Sequence, residues 1–296
     1  MKIVAAGSSG LIGRALVTAL RAGGHEVLRL VRRQSTAPDE ISWDPEKPLD
    51  VSKLTGVQAA VNLAGAGVGD KRWTDEYKRV LIHSRLRSTH TLATALAALD
   101  PRPSVLVNAS AIGYYGEGGE AVLDETAPAG SDFLAQLCLR WEAATAPAET
   151  AGVRVVHART GLVVSADGGA WARMFPLFKL GLGGKLGSGK QWWSPISLLD
   201  EVRAWQFLLT AAEVAGPVNL TGPEPLTNAG VTEVMGQVLH RPTLLPAPAF
   251  GMRLLLGEFA DEPLRSQRVV PVVLQRAGFA FTHPTVEAAV RAALAA

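Results

Sequence analysis

Cysteine is almost absent from this chain: Cys138 stands alone among 296 residues. A single thiol excludes an internal disulfide and fits a reducing compartment, so a cytoplasmic location is expected. Its neighbours form an apolar helical pattern, which reads as an inert core thiol rather than a nucleophile. Long apolar runs are also lacking. No stretch suffices to span a bilayer, and Leu254 to Leu256 reads as a short core segment. The chain enters a strand at once, which leaves no room for a signal peptide. The six histidines show no metal-ligand spacing, and no metal site is expected. Net charge is only +2 and the basic residues are scattered, so nothing marks a nucleic-acid or membrane-surface partner. Tyrosine is scarce, confined to Tyr77, Tyr114 and Tyr115. No lysine stands between Lys78 and Lys179, and none follows Lys190.

What is present begins with glycine. A strand-like segment, Lys2 to Ala6, runs into Gly7-Ser8-Ser9-Gly10-Leu11-Ile12-Gly13 and a helical pattern from Leu11 to Arg21. Dinucleotides bind at such turns. Gly7 permits the tight turn, Gly10 lets the backbone approach a pyrophosphate, and Gly13 lets the helix pack close to the sheet. The N–H groups at the helix start then face the phosphates. A second strand, His25 to Val31, ends in Arg32-Arg33, with no carboxylate before Asp39. NAD would want an acid there for its ribose 2′-hydroxyl, whereas a guanidinium suits the 2′-phosphate of NADP(H). Arg32 is the expected main contact, with Arg33 in support. The competing reading is two solvated arginines at a strand end.

Strand and helix signals alternate along the first half, which argues an α/β fold with a parallel sheet covered on both faces. Strands are expected at Lys2–Ala6, His25–Val31, Ala59–Leu63, Ser104–Asn108 and Val153–Ala158, with a short one at Glu40–Trp43. Helices are expected near Leu11–Ala22, Thr74–Leu99 and Phe133–Ala151. Residues 1–160 read as a Rossmann-type, doubly wound NADP-binding domain. Residues 161–296 read as a smaller mixed α/β substrate lobe, interleaved with the first as one unit. The lobe takes in glycine-rich 181–189, Trp192 and Trp193, a helix from Leu199 to Ala212, and strand-like Pro217–Leu220.

Together these pieces resemble the extended short-chain dehydrogenase/reductase superfamily, on the Gly7–Gly13 turn, Val61-Asn62-Leu63-Ala64-Gly65, and Ser110-Ala111-Ile112-Gly113-Tyr114-Tyr115-Gly116. Trp141-Glu142, Arg159-Thr160-Gly161, Gly181–Gly189 and the region from Leu245 to Phe279 resemble an atypical, epimerase-like subfamily of uncharacterised function. The resemblance implies cofactor contacts at Leu63, Ala64 and Gly65, at Arg85 and at Val163. For Arg85 a solvated basic stripe with Lys78 is the alternative. It also implies a Tyr-x-x-x-Lys acid/base pair, which is missing: Leu81, Gly118 and Gly119 stand four residues after the three tyrosines. The expected positions fall near Leu134 and Cys138, and the usual serine slot holds Ala111, with Ser110 one residue early. Tyr114, Tyr115 and Ser110 are the substitute catalytic candidates, with Arg85 or Arg159 supplying charge. For Tyr115, stacking or loop packing is the favoured alternative. Glu142 reads as a helix-face or buried-pair carboxylate, and Lys190 with Gln191 as an anion contact.

Two functions follow. One is an NADP(H)-dependent oxidoreductase or epimerase acting on a small polar substrate through a non-standard proton donor. The other is a catalytically silent NADPH-binding sensor or partner-binding protein, compatible with the cell-division association of some subfamily members. A homodimer through the two long helices is permitted by their alanine-rich faces.

Overall fold

The computed structural model describes residues 1–295, apart from the side chains of Leu255 and Leu256. Strands are β1 (Lys2–Ala6), β2 (Glu26–Val31), β3 (Glu40–Ser42), β4 (Ala59–Asn62), β5 (Val105–Ala111), β6 (Val122–Leu123), β7 (Arg154–Thr160), β8 (Leu162–Val164), β9 (Trp192–Trp193), β10 (Pro195–Ser197), β11 (Gly216–Leu220), β12 (Leu226–Thr227) and β13 (Arg268–Val269). Helices are α1 (Leu11–Ala22), α2 (Asp75–Ala97), α3 (Phe133–Ala143), α4 (Ala146–Thr150), α5 (Gly169–Lys179), α6 (Leu198–Thr210), α7 (Asn228–Leu239), α8 (Ala249–Leu256), α9 (Asp261–Leu264), α10 (Val272–Arg276) and α11 (Val286–Ala295).

Seven strands form one parallel sheet in the order β3-β2-β1-β4-β5-β7-β11. Alternate residues of each strand go to opposite faces. Ile3, Val61, Val107 and Val156 join Leu16 and Leu20 of α1 and Trp205 and Leu208 of α6. Val4, Ala60, Leu106 and Val155 join Leu92 and Leu96 of α2. Strands buried on both faces in this way are what the apolar runs of a parallel sheet require. Helix α1 stops where Gly24 turns left-handed (φ 77°), and the amide of His25 donates to the Leu20 carbonyl at 3.1 Å.

The structure departs from the sequence reading in four places. The strand expected to end at Asn108 continues to Ala111, because β7 pairs with it through Thr160. The helix expected over Phe133–Ala151 breaks at residues 144–145: Pro147, which has no N–H to continue the ladder, opens α4 instead. Pro217–Leu220, read as lobe, is part of β11 at the edge of the main sheet, and α6 packs beside α1. Leu254 is 75% exposed rather than a core residue, and the side chains of Leu255 and Leu256 lie outside the described residues.

The smaller lobe has its own core of Trp171, Phe175, Phe178, Trp193, Met235 and Val290. From it, the segment after α8 returns to the sheet's carboxyl edge. Glu258 accepts from Lys78 of α2 at 2.6 Å, and Phe259 packs its ring 5.6 Å from Trp73.

Candidate functional site

Strand order reverses between β1 and β4, and a crevice opens at the carboxyl ends of parallel strands at such a point. The turn after β1 and the turn after β4 lie side by side there. Gly7 has φ 77°, and a Cβ on it would stand 2.5 Å from the Leu63 carbonyl oxygen and 2.6 Å from the Ala64 nitrogen. A Cβ on Gly13 would stand 2.9 Å from Ser8 Cα. Both glycines are therefore demanded by the protein's own close packing. Gly10 is different. Its φ is an ordinary −72°, and a Cβ there would meet only the Gly7 oxygen, at 3.6 Å. The space over Gly10 is open, and the first turn of α1 has neither a side-chain cap nor an acid. Its N–H groups are thus available to an anion, flanked by Ser8 and the exposed Ser9, with Leu11 and Ile12 half-buried beneath.

Asn62 positions the opposite wall. Its Oδ1 accepts from Ala64 N at 3.1 Å, and its Nδ2 donates to Thr89 Oγ1 at 2.9 Å and Asn108 Oδ1 at 2.7 Å. Trp141 Nε1 donates to the same Thr89 oxygen at 3.0 Å. This buried cluster ties the Leu63–Ala64–Gly65 turn to β5, α2 and α3. Sequence reasoning missed it, although two asparagines inside apolar strands are a readable signal, since buried amides require partners.

Arg32 and Arg33 part company. Arg33 grips Glu40 through two nitrogens, at 2.5 and 2.8 Å, and that contact first of all holds the Glu40 carboxyl down at about 2. Glu40 also pairs with Arg29 at 3.0 Å, and Asp39 is held by Arg29 at 2.7 Å and by Arg21. Both carboxylates near the end of β2 are thus neutralised by arginines. Arg32 is exposed and makes no hydrogen bond or ion pair among the described residues.

Arg85 is buried, not part of a solvated stripe; Lys78 instead meets Glu258. The Arg85 guanidinium lies 4.9 Å from the Trp141 ring, and one nitrogen donates to the Leu81 carbonyl at 3.2 Å. A Cβ on Gly65 would stand 3.2 Å from its Cζ. No carboxylate pairs with it among the described residues, and burial lowers its pKa. A buried cation short of acceptors beside the crevice is suited to a ligand's oxygen atoms. Val163 sits in β8, half-buried and paired with Ile196.

The catalytic candidates fare unequally. Ser110 is buried and donates to Glu142 Oε1 at 2.6 Å. Arg159 donates to both oxygens of Glu142, at 2.8 and 2.9 Å, and to the Tyr115 hydroxyl at 3.1 Å. Tyr115 in turn donates to Asn219 Oδ1 at 2.7 Å, and burial pushes its phenol up to about 12. Ser110 and Tyr115 are therefore spent in a buried chain that staples α3, β5, β7 and β11 together, contrary to a catalytic role. Tyr114 is half-buried, its ring 3.4 Å from the Arg159 guanidinium, and its hydroxyl has no protein partner among the described residues. At the positions expected for the acid/base pair, Leu134 packs on Gly113 and the Cys138 sulfur faces the Ala111 carbonyl at 3.7 Å. Burial pushes that thiol up to about 12, as befits a core residue. Gln191 is also committed, its amide donating to the carbonyls of Leu186 and Pro263. Among the described residues no cluster could hold a metal ion.

Comparison with known proteins agrees with this architecture. Residues 3–220 match the model of the NAD dependent epimerase/dehydratase family, and residues 247–293 match a domain of unknown function (DUF1731). The chain is 51% identical to the epimerase family protein Mb2239 of Mycobacterium bovis, over 96% of this chain and 94% of that one. It is 38% identical to the chloroplastic epimerase family protein SDR39U1 homolog of Arabidopsis thaliana, over 99% and 86%. The crystal structure of human epimerase family protein SDR39U1 with NADPH superposes with a TM-score of 0.91 at 32% identity, over 99% of this chain and 98% of that one. A nucleoside-diphosphate sugar epimerase from Corynebacterium glutamicum gives 0.82 at 34% identity, over 98% of this chain and 57% of that one. With its glycine turn, its strand order and these relatives, the chain belongs to the NAD dependent epimerase/dehydratase family.

Proposed function

We propose that this protein binds NADPH in the crevice between β1 and β4 and acts as an oxidoreductase or epimerase-like enzyme on a small polar substrate. The observation that carries the cofactor choice is Arg32, an uncommitted guanidinium beside carboxylates that other arginines have neutralised. The NADPH bound by the human relative supports the same choice. Arg32 holds the 2′-phosphate, the open amides of the first turn of α1, reached over Gly10, hold the pyrophosphate, and Arg85 donates from beneath Gly65. The backbone of Leu63 and Ala64 lines the adenosine–ribose side, and that of Val163 the nicotinamide end. A bound nicotinamide supplies hydride chemistry. Tyr114, the one phenol without a protein partner among the described residues, moves the proton at the substrate oxygen, with the Arg159 guanidinium against its ring.

One observation favours a second reading, a catalytically silent NADPH-binding regulator: the slots of the usual acid/base pair are filled by Leu134 and Cys138. A homodimer through α2 and α3 would use exposed His83, Arg87 and Arg140, since Ala93, Ala95 and Ala135 are buried within the subunit.

Fluorescence titration with NADPH and NADH tests the cofactor assignment. Arg32→Ala should weaken NADPH by about 10- to 100-fold, the worth of charge-assisted hydrogen bonds, and leave NADH unchanged. An unaltered preference overturns the assignment. Turnover of a carbonyl or nucleotide-sugar substrate that Tyr114→Phe abolishes supports the enzyme; NADPH binding with no turnover across such a panel supports the regulator.

A further inference from the structure

Two stretches of the chain hold no aspartate or glutamate, residues 168–199 and 234–257. They carry Arg173, Lys179, Lys185, Lys190, Arg241 and Arg253, together with His240. Far apart in sequence, they lie against each other in the fold. Gly187 N donates to the Ala247 carbonyl at 2.9 Å, Ala247 N to the Lys185 carbonyl at 3.0 Å, and Arg241 Nε to the Lys179 carbonyl at 2.9 Å. These pairings bring the segments carrying Lys179, Lys185 and Arg241 together, although they look scattered in the sequence.

The same two stretches carry the four most exposed large apolar side chains among the described residues: Leu244 at 82%, Phe250 at 76%, Leu254 at 75% and Leu180 at 71%. Phe250 and Leu254 stand one turn apart on the outer side of α8. Leu182 is half exposed and, with Leu245, lines a small apolar cavity of about 90 Å³ between the two stretches. Arg253 is paired with Asp261 at 2.9 Å, whereas Lys179, Lys185 and Arg241 make no ion pair among the described residues.

We propose that this face docks on an anionic lipid surface. Leu180, Leu244, Phe250 and Leu254 enter the headgroup boundary, while Lys179, Lys185 and Arg241 meet the headgroup phosphates. No helix among the described residues is long and apolar enough to cross a membrane, so the attachment is peripheral. Charge and composition select this occupant. A second copy of the chain would bring the same patch to itself, cation against cation, with no acid on either stretch to answer it. Protein interfaces exclude Lys from their centres, whereas the exposed apolar side chains here, three leucines and one phenylalanine, share their stretches with Lys179 and Lys185. Such a mixture suits the boundary between acyl chains and phosphates.

Co-sedimentation of the full chain with vesicles tests the proposal. Phosphatidylcholine vesicles containing about one-third phosphatidylglycerol should pellet the protein at least ~10-fold better than phosphatidylcholine alone, with the gain lost in high salt. The double variants Phe250→Ser/Leu254→Ser and Lys179→Glu/Lys185→Glu should each reduce that binding by ~10-fold or more, with an unchanged circular dichroism melt as the control for folding. The proposal is overturned if neither vesicle binds, or if both bind equally and the charge variant has no effect. It is also overturned if, without vesicle binding, sedimentation velocity shows a dimer that Phe250→Ser/Leu254→Ser dissolves, which would make a second copy the occupant. Binding to polyglutamate but not to vesicles would make an acidic protein the occupant and overturn it likewise.

Discussion

Gly10 and Gly13 lie one turn apart at the start of α1, yet the structure separates their roles, and alanine at each should show it. At Gly10 the backbone is in an ordinary region and the new methyl group meets only the Gly7 oxygen, at 3.6 Å. Losing a glycine N-cap and gaining a stiffer unfolded chain act in opposite directions, each worth about 0.5–1 kcal/mol, so stability should move by less than about 1 kcal/mol. The methyl group does, however, occupy the space over the amides at the start of α1. If it denies a pyrophosphate even two charge-assisted hydrogen bonds, binding falls by about 3 kcal/mol, on the order of 100-fold. At Gly13 the methyl group lies 2.9 Å from Ser8 Cα and against the Gly7 carbonyl, all of it backbone that cannot swing aside. Overpacking of that kind costs about 1–3 kcal/mol and lowers the melting temperature by several degrees. Urea unfolding and NADPH fluorescence titration on the two variants decide the matter. An alanine at Gly10 that binds NADPH as tightly as the parent, or that unfolds as readily as alanine at Gly13, would refute the reasoning.

Three further outcomes follow from the buried polar groups. Glu142→Ala leaves the Arg159 guanidinium, whose side chain is only 3% exposed, without its carboxylate, and should cost about 3–5 kcal/mol in urea unfolding. Tyr115→Phe should cost about 1–2 kcal/mol because Asn219 Oδ1 loses its donor, whereas Tyr114→Phe should leave the urea midpoint where it is. Burial pushes the Glu201 carboxyl from its ordinary 4.5 up to about 7, against hydrogen bonds from Trp205 and Thr160 that pull it down. The folded state then holds a proton that the unfolded state releases, so this group's contribution to stability is full below pH 4.5 and falls as pH rises to 7. The loss is of order 3 kcal/mol, and Glu201→Gln should flatten the profile of urea midpoint against pH across that window.

Much of the fold is legible because it is local. The strand, glycine turn and helix from Lys2 to Ala22 lie within one contiguous stretch, and spacing alone places Gly7, Gly10 and Gly13 in it. The placement of β11 is not local. Pro217–Leu220 is a short apolar strand with the same sequence signature whether it joins the lobe or the main sheet. The register of Asn219 against Arg159 that settles it depends on residues about sixty apart. The same holds for the patch formed by residues 168–199 and 234–257, whose charges read as scattered until the backbone pairs Lys185 with Ala247.

The candidate site divides along the same line. The sequence puts Arg32 ahead of Arg33 but expects both to help hold the cofactor; β3 coming alongside β2 delivers Glu40 to Arg33 and leaves Arg32 alone free. Tyr114 and Tyr115 both read as catalytic candidates, with packing favoured for Tyr115, and the short turn after β5 sends the Tyr115 hydroxyl to Asn219 and leaves the Tyr114 ring against the Arg159 guanidinium. In both pairs the first residue is the one left uncommitted, and in both the second is captured by a partner from another strand of the sheet. Residue type decides what each side chain can do; the sheet's other strands decide which of the two is left to do it. Arg85 completes the pattern in reverse. Its seven-residue spacing from Lys78 matches a solvated stripe, but α2 lies along the sheet with Arg85 facing Trp141 and Gly65. A guanidinium is tolerated there without a carboxylate only if other oxygen atoms reach it, and the open crevice beside Gly65 is the side from which a ligand can bring them.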